Sequence, residues 1–363
     1  MKVKSSQQSP SALAWQRFRK NRLGMASLGL ILVEAILALF AYFIIPDPTP
    51  HANRQLLELS TQKPGFEVDM LVMPKAVKPE PVGFFERLFH GRPDDCTYLP
   101  FDSIQRFDEY TLVYLFNPEH SGIPRTQVVP NSEISGVRHQ KFLLGTDQFG
   151  RDFLSRLVLG SRISLIVGFI AVALSLAIGI FIGSLGGFFR GKVDDVVVWL
   201  INVVWSIPTL LLVIAITFAL GKGIGQVFIA VGLTMWVEVA RIVRGQIFSV
   251  REMTYVEAGK ALGFKDIRII LRHILPNILN PIIVVSASNF ASAILLEAGL
   301  SFLGIGVQPP MPSWGTMVKE NYCYILLDNA YLALLPGLAI MLIVLAFMLM
   351  GNGLRDALDI KNK

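Results

Sequence analysis

Residues 163–189 read ISLIVGFIAVALSLAIGIFIGSLGGFF, an apolar run that contains no Asp, Glu, Lys or Arg. A helix needs roughly 20 apolar residues to cross the ~30 Å hydrocarbon core of a bilayer, where every backbone amide must find its partner within the helix. This run is long enough for that. It therefore predicts a membrane-spanning helix, and it decides the class of fold.

Similar apolar runs recur along the chain and predict an all-α integral membrane protein. The six predicted spans lie at about 23–45, 163–189, 196–220, 224–243, 278–300 and 331–350. Pro208 and Pro336 fall inside the third and sixth spans, where we expect kinks. The first run ends at Pro46 without a small-residue cleavage pattern, so we expect a permanent helix rather than a signal peptide.

The amino-acid composition also indicates a membrane protein rather than a soluble one. The chain is 53% hydrophobic and 17% charged, and its mean hydropathy is +0.54. A soluble domain carries about 25% charged residues. The net charge of +6 does not by itself indicate nucleic acid, and we expect no nucleic-acid partner. Cys96 and Cys323 are too few for a disulfide framework or a zinc site.

Lysine and arginine placement predicts that both termini are cytoplasmic. The basic residues concentrate at 1–22, 190–192, 241–276 and 351–363. With six spans, all four segments fall on one side, whereas the loops of the other side hold Lys222 or Lys319 alone. Arg151, Arg156 and Arg162 are an exception on the outer side. In this topology both cysteines lie outside, and a disulfide between them stays open.

The spans divide the chain into five predicted parts. These are a cytoplasmic N-terminal segment (1–22), the first helix (23–46), an extracytoplasmic domain (47–150), a five-helix core with a cytoplasmic hairpin at 251–276 (151–350), and a cytoplasmic tail (351–363). The extracytoplasmic domain is rich in proline, and its strand-like runs at 111–116 and 126–129 are short. We expect loops and strands there, and its residues assign no function.

The cytoplasmic stretch 254–276 reads TYVEAGKALGFKDIRIILRHILP and predicts two short helices at an angle. Thr254 and Glu257 have the spacing of a capping box. Gly263 supplies the left-handed residue that ends the first helix. Asp266 is placed to cap the second helix, and Pro276 to stop the chain before the fifth span.

The apolar residues of this hairpin predict a docking element for a cytoplasmic partner. They are Val256, Leu262, Ile267, Ile270 and Leu271. So small a unit cannot bury all five side chains within itself. A hairpin with apolar and basic faces therefore needs a surface outside itself.

The same stretch resembles the "EAA" coupling loop of ABC importer permeases. The residues that carry the resemblance are Glu257, Ala258, Gly259, Gly263, Leu275 and Pro276. The family pattern has a second alanine where this chain has Gly259, and often an isoleucine where it has His273.

Two further motifs resemble the second-permease type of dipeptide and oligopeptide importers. The first, GTDQFGRD, contains Gly145, Thr146, Asp147, Gly150, Arg151 and Asp152. The second, at 297–315, contains Glu297, Ser301, Gly304 and Trp314. The N-terminal WQRFRKNR at 15–22 also fits this type. The resemblance covers 12–46 and 141–358.

The resemblance implies a subunit of a larger machine in a bacterial inner membrane. It implies a second permease subunit, two cytoplasmic ABC ATPases and an extracytoplasmic substrate-binding protein as partners, besides the lipid bilayer. ATP and magnesium would bind the ATPases, so no catalytic residue, metal or cofactor is expected in this chain. The hairpin would sit in a groove on one ATPase, whose closure would tilt the helices. The cargo would be peptides or similar small solutes.

Several of these residues also have plainer interpretations. Glu257 could contact the ATPase or serve only the local cap. Asp147 and Arg151 could bind substrate or the external protein, or only anchor the entry to the second span. The stretch 186–193 differs from a P-loop because Val193 stands where Ser or Thr would bind magnesium, and we expect no nucleotide there.

Three carboxylates lie in or near the predicted membrane region, namely Glu34, Glu238 and Glu297. Intramembrane ionisable groups are functional by default. A proton-coupled secondary transporter would use them, yet the sequence shows no internal repeat of the kind such carriers have. We expect Glu238 to pair with Arg241 or Arg244 instead. An intramembrane enzyme is not expected, because no His-Glu-x-x-His or Gly-x-Ser-x-Gly motif is present.

Overall fold

The computed structural model describes residues 10–77, 79–117, 125–221 and 223–359. Lys222 and the ends of the two predicted terminal segments lie outside the described residues. The chain forms two compact units. The core unit comprises Met1–Glu34, Ser164–Gln308 and Ala339–Lys363, and the sheet unit comprises Ala35–Ile163 and Pro309–Leu338.

Helices make up most of the chain. They are α1 (Pro10–Lys20), α2 (Arg22–Leu39), α3 (Ala41–Ile44), α4 (Phe84–His90), α5 (Phe153–Phe189), α6 (Gly191–Trp205), α7 (Thr209–Leu220), α8 (Ile224–Val250), α9 (Thr254–Ala261), α10 (Asp266–Ile269), α11 (Leu279–Phe302), α12 (Trp314–Asn321) and α13 (Tyr331–Leu358). Within the described ranges, five helical stretches are long and apolar enough to cross a membrane, or six if the bent pair α6–α7 counts as one span.

The third predicted span is a broken pair rather than one kinked helix. α6 and α7 are bent by 91° at the break that ends in Pro208. Proline has no N–H to donate and keeps the preceding residue out of the helical region, so the ladder stops there. The kink predicted at Pro208 is confirmed and is larger than expected. α13, by contrast, runs through Pro336 as one helix.

Glycines let α5 and α8 pack closely within the core unit. Gly179, Gly183 and Gly187 recur every four residues and share one face of α5. A Cβ atom at Gly183 would lie 2.5 Å from the carbonyl oxygen of Ala240, and one at Gly187 would lie 2.8 Å from that of Arg244. Small residues at such spacing allow two helix backbones to approach in a membrane.

The stretch that resembles a P-loop joins two helices. α5 ends at Phe189, and Arg190 and Gly191 turn the chain with φ of 55° each before α6. A P-loop needs a strand before its glycines. The stretch 186–193 is therefore a turn between two helices rather than a loop between a strand and a helix.

An antiparallel sheet occupies much of the stretch between the first two spans. Its strands are β1 (Phe66–Pro74), β2 (Cys96–Arg106), β3 (Tyr110–Leu115), β4 (Thr126–Pro130) and β5 (Gly136–Phe142), in the order β4-β3-β2-β1-β5. Leu71, Val113 and Val129 are buried in one apolar cluster, and Met70 and Phe142 in another. The strands predicted at 111–116 and 126–129 are β3 and β4. β1, β2 and β5 were missed.

Candidate functional site: the hairpin at 251–276 and the motif clusters

The predicted caps of the hairpin are wrong. Thr254 and Asp266 are the first helical residues of α9 and α10, whereas Met253 and Lys265 are the N-caps, and no side chain caps either helix. Both helices start one residue earlier than the capping pattern predicted, because Met253 and Lys265 have the extended backbone of an N-cap (ψ 143° and 142°). Glu257 is therefore exposed rather than engaged in a capping box.

The predicted left-handed turn at Gly263 is confirmed. Its φ is +73°, and its N–H donates to the carbonyl of Lys260 at 2.9 Å. The N–H of Phe264 donates to the carbonyl of Gly259 at 3.1 Å. These two bonds make a Schellman motif, which satisfies carbonyls at the end of α9 and sets the direction of the next helix.

Pro276 does not stop the chain, contrary to our prediction. A π-helical turn (Ile270–Ile274) and a 3₁₀ turn (Leu275–Ile278) connect α10 directly to α11. Pro276 lies at the start of the 3₁₀ turn, where a missing N–H costs little. The candidate span Asp266–Phe302 therefore includes the second arm of the hairpin as well as α11.

One face of the hairpin is buried against the spans. Val256, Ile269 and Ile274 are fully buried in an apolar cluster that also contains Val243 and Ile247 of α8. Fully buried aliphatic side chains each contribute about 1.5–3 kcal/mol relative to exposure. The hairpin is thus packed onto α8 as part of one core.

The opposite face is exposed and apolar. Leu262, Ile267 and Leu271, the hairpin edge, are 73%, 66% and 57% exposed. Val256 and Ile270, the other two residues of the predicted apolar side, are buried. The structure therefore divides the five side chains between internal packing and an open surface.

The chain accommodates both of its departures from the coupling-loop pattern. The His273 ring stacks on Phe264 with 5.8 Å between ring centroids, and the His273 carbonyl accepts a bond of 2.7 Å from Asn277. A Cβ atom at Gly259 would lie 3.5 Å from the Phe264 ring, which is ordinary van der Waals contact. Either glycine or alanine fits at position 259.

The pairing predicted for Glu238 is not formed. Arg244 binds Asp194 of α6 instead, with Nη2 donating to Oδ2 at 2.6 Å. The guanidinium of Arg241 lies 3.3 Å from the centre of the Trp205 ring. Both arginines therefore join α8 to its neighbours, and Glu238 is exposed.

Glu238 lines a cavity of about 550 Å³ in the core unit. Residues of α8, α11 and α13 form its wall, with Gln246, Asn280 and Ser288 among the polar ones and Arg355 as a basic group. Ligand pockets have volumes of about 300–1,000 Å³. The cavity combines such a volume with two carboxylates, those of Glu238 and Asp359, and one guanidinium, that of Arg355.

The motif at 145–152 builds a buried ion cluster in the sheet unit. Arg151 Nε donates to Asp147 Oδ2 at 2.6 Å, and Arg151 Nη2 donates to Glu320 Oε2 at 2.8 Å. Arg156, which is 1% exposed, lies 3.5 Å from both carboxylates. Two cations meet two anions, so the cluster balances its own charge. This burial favours the anchoring role over direct substrate contact. Glu320 carries no sequence signal, because it lies far along the chain.

Tight turns hold this motif in place. Gly145 and Gly150 have φ of +73° and +68°, and a Cβ at Gly145 would overlap the carbonyl oxygen of Gln62. Only glycine meets both demands. Thr146 donates its hydroxyl to the carbonyl of Leu59 and accepts the Gln62 N–H at 2.8 Å.

Asp152 caps the start of α5. Its Oδ1 accepts the N–H of Ser155 at 2.7 Å, and Ser155 Oγ accepts the N–H of Asp47 at 3.0 Å. The Oδ2 atom of Asp152 is buried and has no hydrogen-bond partner. Burial raises the pKa of the Asp152 carboxyl, and the nearby Asp47 carboxylate adds to the rise.

The carboxylate of Glu297 joins two helices inside the core unit. It is fully buried and accepts hydroxyl bonds from Ser164 at 3.1 Å and Ser301 at 2.8 Å. Ser301 Oγ in turn accepts the N–H of Val307 at 3.1 Å. The motif residues Glu297 and Ser301 thus fix the end of α11 to α5.

The remaining motif residues have structural contacts. Gly304 turns the chain after α11 with φ of +80°. Trp314 is 2% exposed, and its Nε1 donates to the carbonyl of Leu157 at 2.9 Å within the sheet unit. Cys96 and Cys323 are both free thiols. Within the described ranges, no group of three or more His, Cys, Asp or Glu is arranged to hold a metal ion.

Two family models match this chain. The binding-protein-dependent transport system inner membrane component matches residues 159–362. The N-terminal transmembrane domain of oligopeptide transport permease C matches residues 9–64. The hairpin, the Glu297 cluster and the cavity all lie within the first match. All five strands of the antiparallel sheet lie between the two matched stretches.

Curated relatives agree with these matches. The dipeptide transport system permease protein DppC of Alkalihalophilus pseudofirmus is 39% identical over 254 residues, which are 70% of this chain and 83% of the relative. The di/tripeptide transport system permease protein DppC of Pseudomonas aeruginosa is 43% identical over 65% of this chain and 77% of its own length. The glutathione transport system permease protein GsiD of Pectobacterium atrosepticum is 40% identical over 61% and 73%.

Among solved structures, an inward-facing methionine ABC transporter, MetNI, aligns with a TM-score of 0.48 at 19% identity, over 57% of this chain and 97% of that chain. The match to the larger family model spans more than half of this chain. The chain therefore belongs to the family of inner-membrane components of binding-protein-dependent transport systems.

Proposed function

We propose that this chain is one of two permease subunits of an ATP-driven importer and that the hairpin at 251–276 receives the motion of a cytoplasmic ATPase. The observation that carries this proposal is the two-sided hairpin. Its exposed edge (Leu262, Ile267, Leu271) offers an apolar surface, and its other face is buried against α8. An exposed apolar patch of this kind indicates a protein partner.

Force applied at the edge would reach the spans through packed side chains. Val256 and Ile269 lie between the edge and α8, and packed interiors resist compression. The hairpin and α8 would therefore move as one body when the ATPases close, which is a switch between two packings. Because the cap at Thr254 is absent, exposed Glu257 is available as a polar contact to the ATPase.

Short peptides are the proposed cargo. The relatives named above carry dipeptides, di/tripeptides and glutathione. The cavity offers the charges that a zwitterionic peptide requires, since Glu238 and Asp359 would bind its ammonium group and Arg355 would bind its carboxylate. We place this cavity on the solute path shared with the second permease subunit.

The remaining parts of the proposal concern partners and orientation. An extracytoplasmic binding protein would deliver the solute, and two ATPases would hold ATP and magnesium. Both termini would face the cytoplasm of a bacterial cell, as the basic segments predict. The antiparallel sheet would then lie outside the membrane on the opposite side.

A pair of leucine variants tests the docking role. Leu262→Ser removes an apolar side chain from the hairpin edge, and Leu326→Ser makes the same change at a residue that is 93% exposed in the sheet unit. We expect Leu262→Ser, combined with Leu271→Ser, to lower both ATPase co-purification and peptide uptake at unchanged membrane insertion. Leu326→Ser should change neither. Full co-purification and uptake by the double variant would refute the docking role.

A further inference from the structure

A short amphipathic helix follows β1 in the sheet unit. The apolar residues of α4 are Phe84, Phe85, Leu88 and Phe89, and its polar residues are Glu86, Arg87 and His90. At 100° per residue, the four apolar side chains fall within one arc of the helix and the polar ones fall opposite. α4 lies between the stretches that the two family models match.

The apolar arc of α4 is mostly uncovered. Phe84, Phe85 and Phe89 are 61%, 74% and 58% exposed, whereas Leu88 is 8% exposed and provides the contact with the protein. Three large aromatic side chains on two helical turns form a contiguous patch. Such a patch on a protein surface marks a contact with another phase or molecule.

Hydrogen bonds fix α4 to the end of the first span. Arg162 donates from Nε to the carbonyl of Ala38 and from Nη2 to that of Leu39, both at 2.8 Å. Its Nη1 donates to the carbonyl of Phe89 at 3.3 Å. One guanidinium thus binds the last carbonyls of α2 and a carbonyl in the last turn of α4.

The C-terminal end of α4 is also held there by backbone contacts. Gly91 has φ of +79°, and a Cβ atom at this position would lie 2.6 Å from the carbonyl oxygen of Pro48. The N–H of Arg92 donates to the same carbonyl at 2.8 Å. α4 therefore cannot move away from residues 38–48 without breaking these contacts.

The aromatic patch continues onto the surface of the first span. The Phe84 ring lies 5.4 Å from that of Phe43 and 5.6 Å from that of Phe85. Neighbouring apolar side chains of α2, of α3 and of the residue between them are exposed as well, namely Ile36, Leu39, Phe40 and Ile44. α2 is a candidate membrane span with only 17% of its apolar window buried in the protein. Its exposed face therefore meets lipid, and the α4 patch extends that face.

We propose that α4 lies in the interfacial layer of the bilayer, with Phe84, Phe85 and Phe89 among the outer acyl chains, and that it anchors the sheet unit to the membrane surface. Interfacial helices combine bulky apolar residues on one face with basic residues on the other. Arg87 lies 4.7 Å above the Phe43 ring, and Arg92, which binds Asp95 at 2.7 Å, follows the helix. Both basic groups would then lie at the level of the lipid phosphates. The anchor goes beyond the proposed transport function and does not depend on hairpin docking.

Spin-label accessibility in the reconstituted transporter tests this anchor. Cys96 and Cys323 are replaced by serine, and single nitroxide labels are attached at Phe85→Cys or Phe89→Cys. Ile36→Cys, 57% exposed on α2, is the lipid reference, and Ser132→Cys, exposed in the turn between β4 and β5, is the water reference. Each labelled transporter must retain uptake, and two label sites on α4 guard against one that fails to fold.

The proposal predicts that labels at 85 and 89 collide with oxygen far more than with a water-soluble nickel chelate, as at position 36. A collision ratio equal to that at position 132 would place α4 in water and overturn the proposal. Immobile labels shielded from both reagents would show that another protein surface covers α4, and this result would overturn it too.

Discussion

Two glycines of the hairpin should respond to alanine with opposite signs. Gly259 lies inside α9, where a Cβ atom would meet the Phe264 ring at 3.5 Å. Alanine in a helix interior is more stable than glycine by roughly 0.5–1 kcal/mol, because glycine loses more backbone freedom on folding. Gly263 has φ of +73°, a conformation that costs an L-residue roughly 1–2 kcal/mol.

These energies convert to measurable rates of local opening. A tenfold change corresponds to about 1.4 kcal/mol. We therefore expect Gly259→Ala to slow hydrogen exchange of the α9 amides about 2–5-fold, and Gly263→Ala to speed it about 5–30-fold. Exchange measured by mass spectrometry on the assembled transporter in nanodiscs reports this local stability. Gly263→Pro, which also loses the bond to Lys260, should abolish ATPase co-purification and uptake while leaving membrane insertion intact.

A change in hydrogen exchange other than the predicted one, in either variant, would refute the reasoning. Faster exchange in Gly259→Ala would mean that the space beside Phe264 is not open to a methyl group. Unchanged exchange in Gly263→Ala would mean that α9 does not need the left-handed turn. Uptake by Gly259→Ala should equal that of the parent chain, since the family pattern has alanine there.

Three further predictions concern the buried ions and the cavity. Arg156→Ala leaves Arg151 as one cation for two buried carboxylates and should cost about 3–5 kcal/mol, seen as loss of folded protein on size-exclusion chromatography. Arg92→Ala breaks an exposed pair and should cost about 0–1 kcal/mol. The raised pKa of Asp152 means that folding favours the protonated carboxyl. Its contribution to the stability of the folded state is therefore full below the ordinary pKa of 3.8 and is lost as pH rises through the folded pKa. Asp152→Asn, which keeps a capping side chain, should abolish this part of the pH dependence of Tm. Glu238→Gln and Arg355→Gln should raise the KM for dipeptide uptake about tenfold or more at unchanged ATPase co-purification, and an unchanged KM in both would remove the cavity from the solute path.

Much of the fold could be predicted because a lipid bilayer allows few backbone structures to cross it. An apolar run such as 163–189 must be a helix in a membrane, and the structure has α5 there. Pro208 predicted a kink in the third span, although the size of the bend, 91°, depends on packing that the local sequence does not contain. The sheet was mostly missed, because β1, β2 and β5 alternate weakly and contain prolines and charges.

The hairpin shows where sequence reasoning fails at short range. Gly263 was predicted because only glycine adopts its conformation cheaply, and this physical demand is local. The caps at Thr254 and Asp266 were wrong because the frame of a short helix is set by burial of Val256 and Ile269, which a capping pattern does not contain. Glu320 was missed because its partners come from a distant part of the chain.

Chemical cross-linking at the hairpin edge tests the central claim most directly. A single cysteine at Leu262→Cys, in a chain with Cys96→Ser and Cys323→Ser, is treated with a short bifunctional reagent in the assembled transporter. We predict a covalent product with an ATPase subunit that blocks uptake and is released, with recovery of uptake, when a cleavable linker is cut. No product with the ATPase, together with normal uptake after a bulky adduct is attached at 262, would contradict the role of the hairpin in coupling.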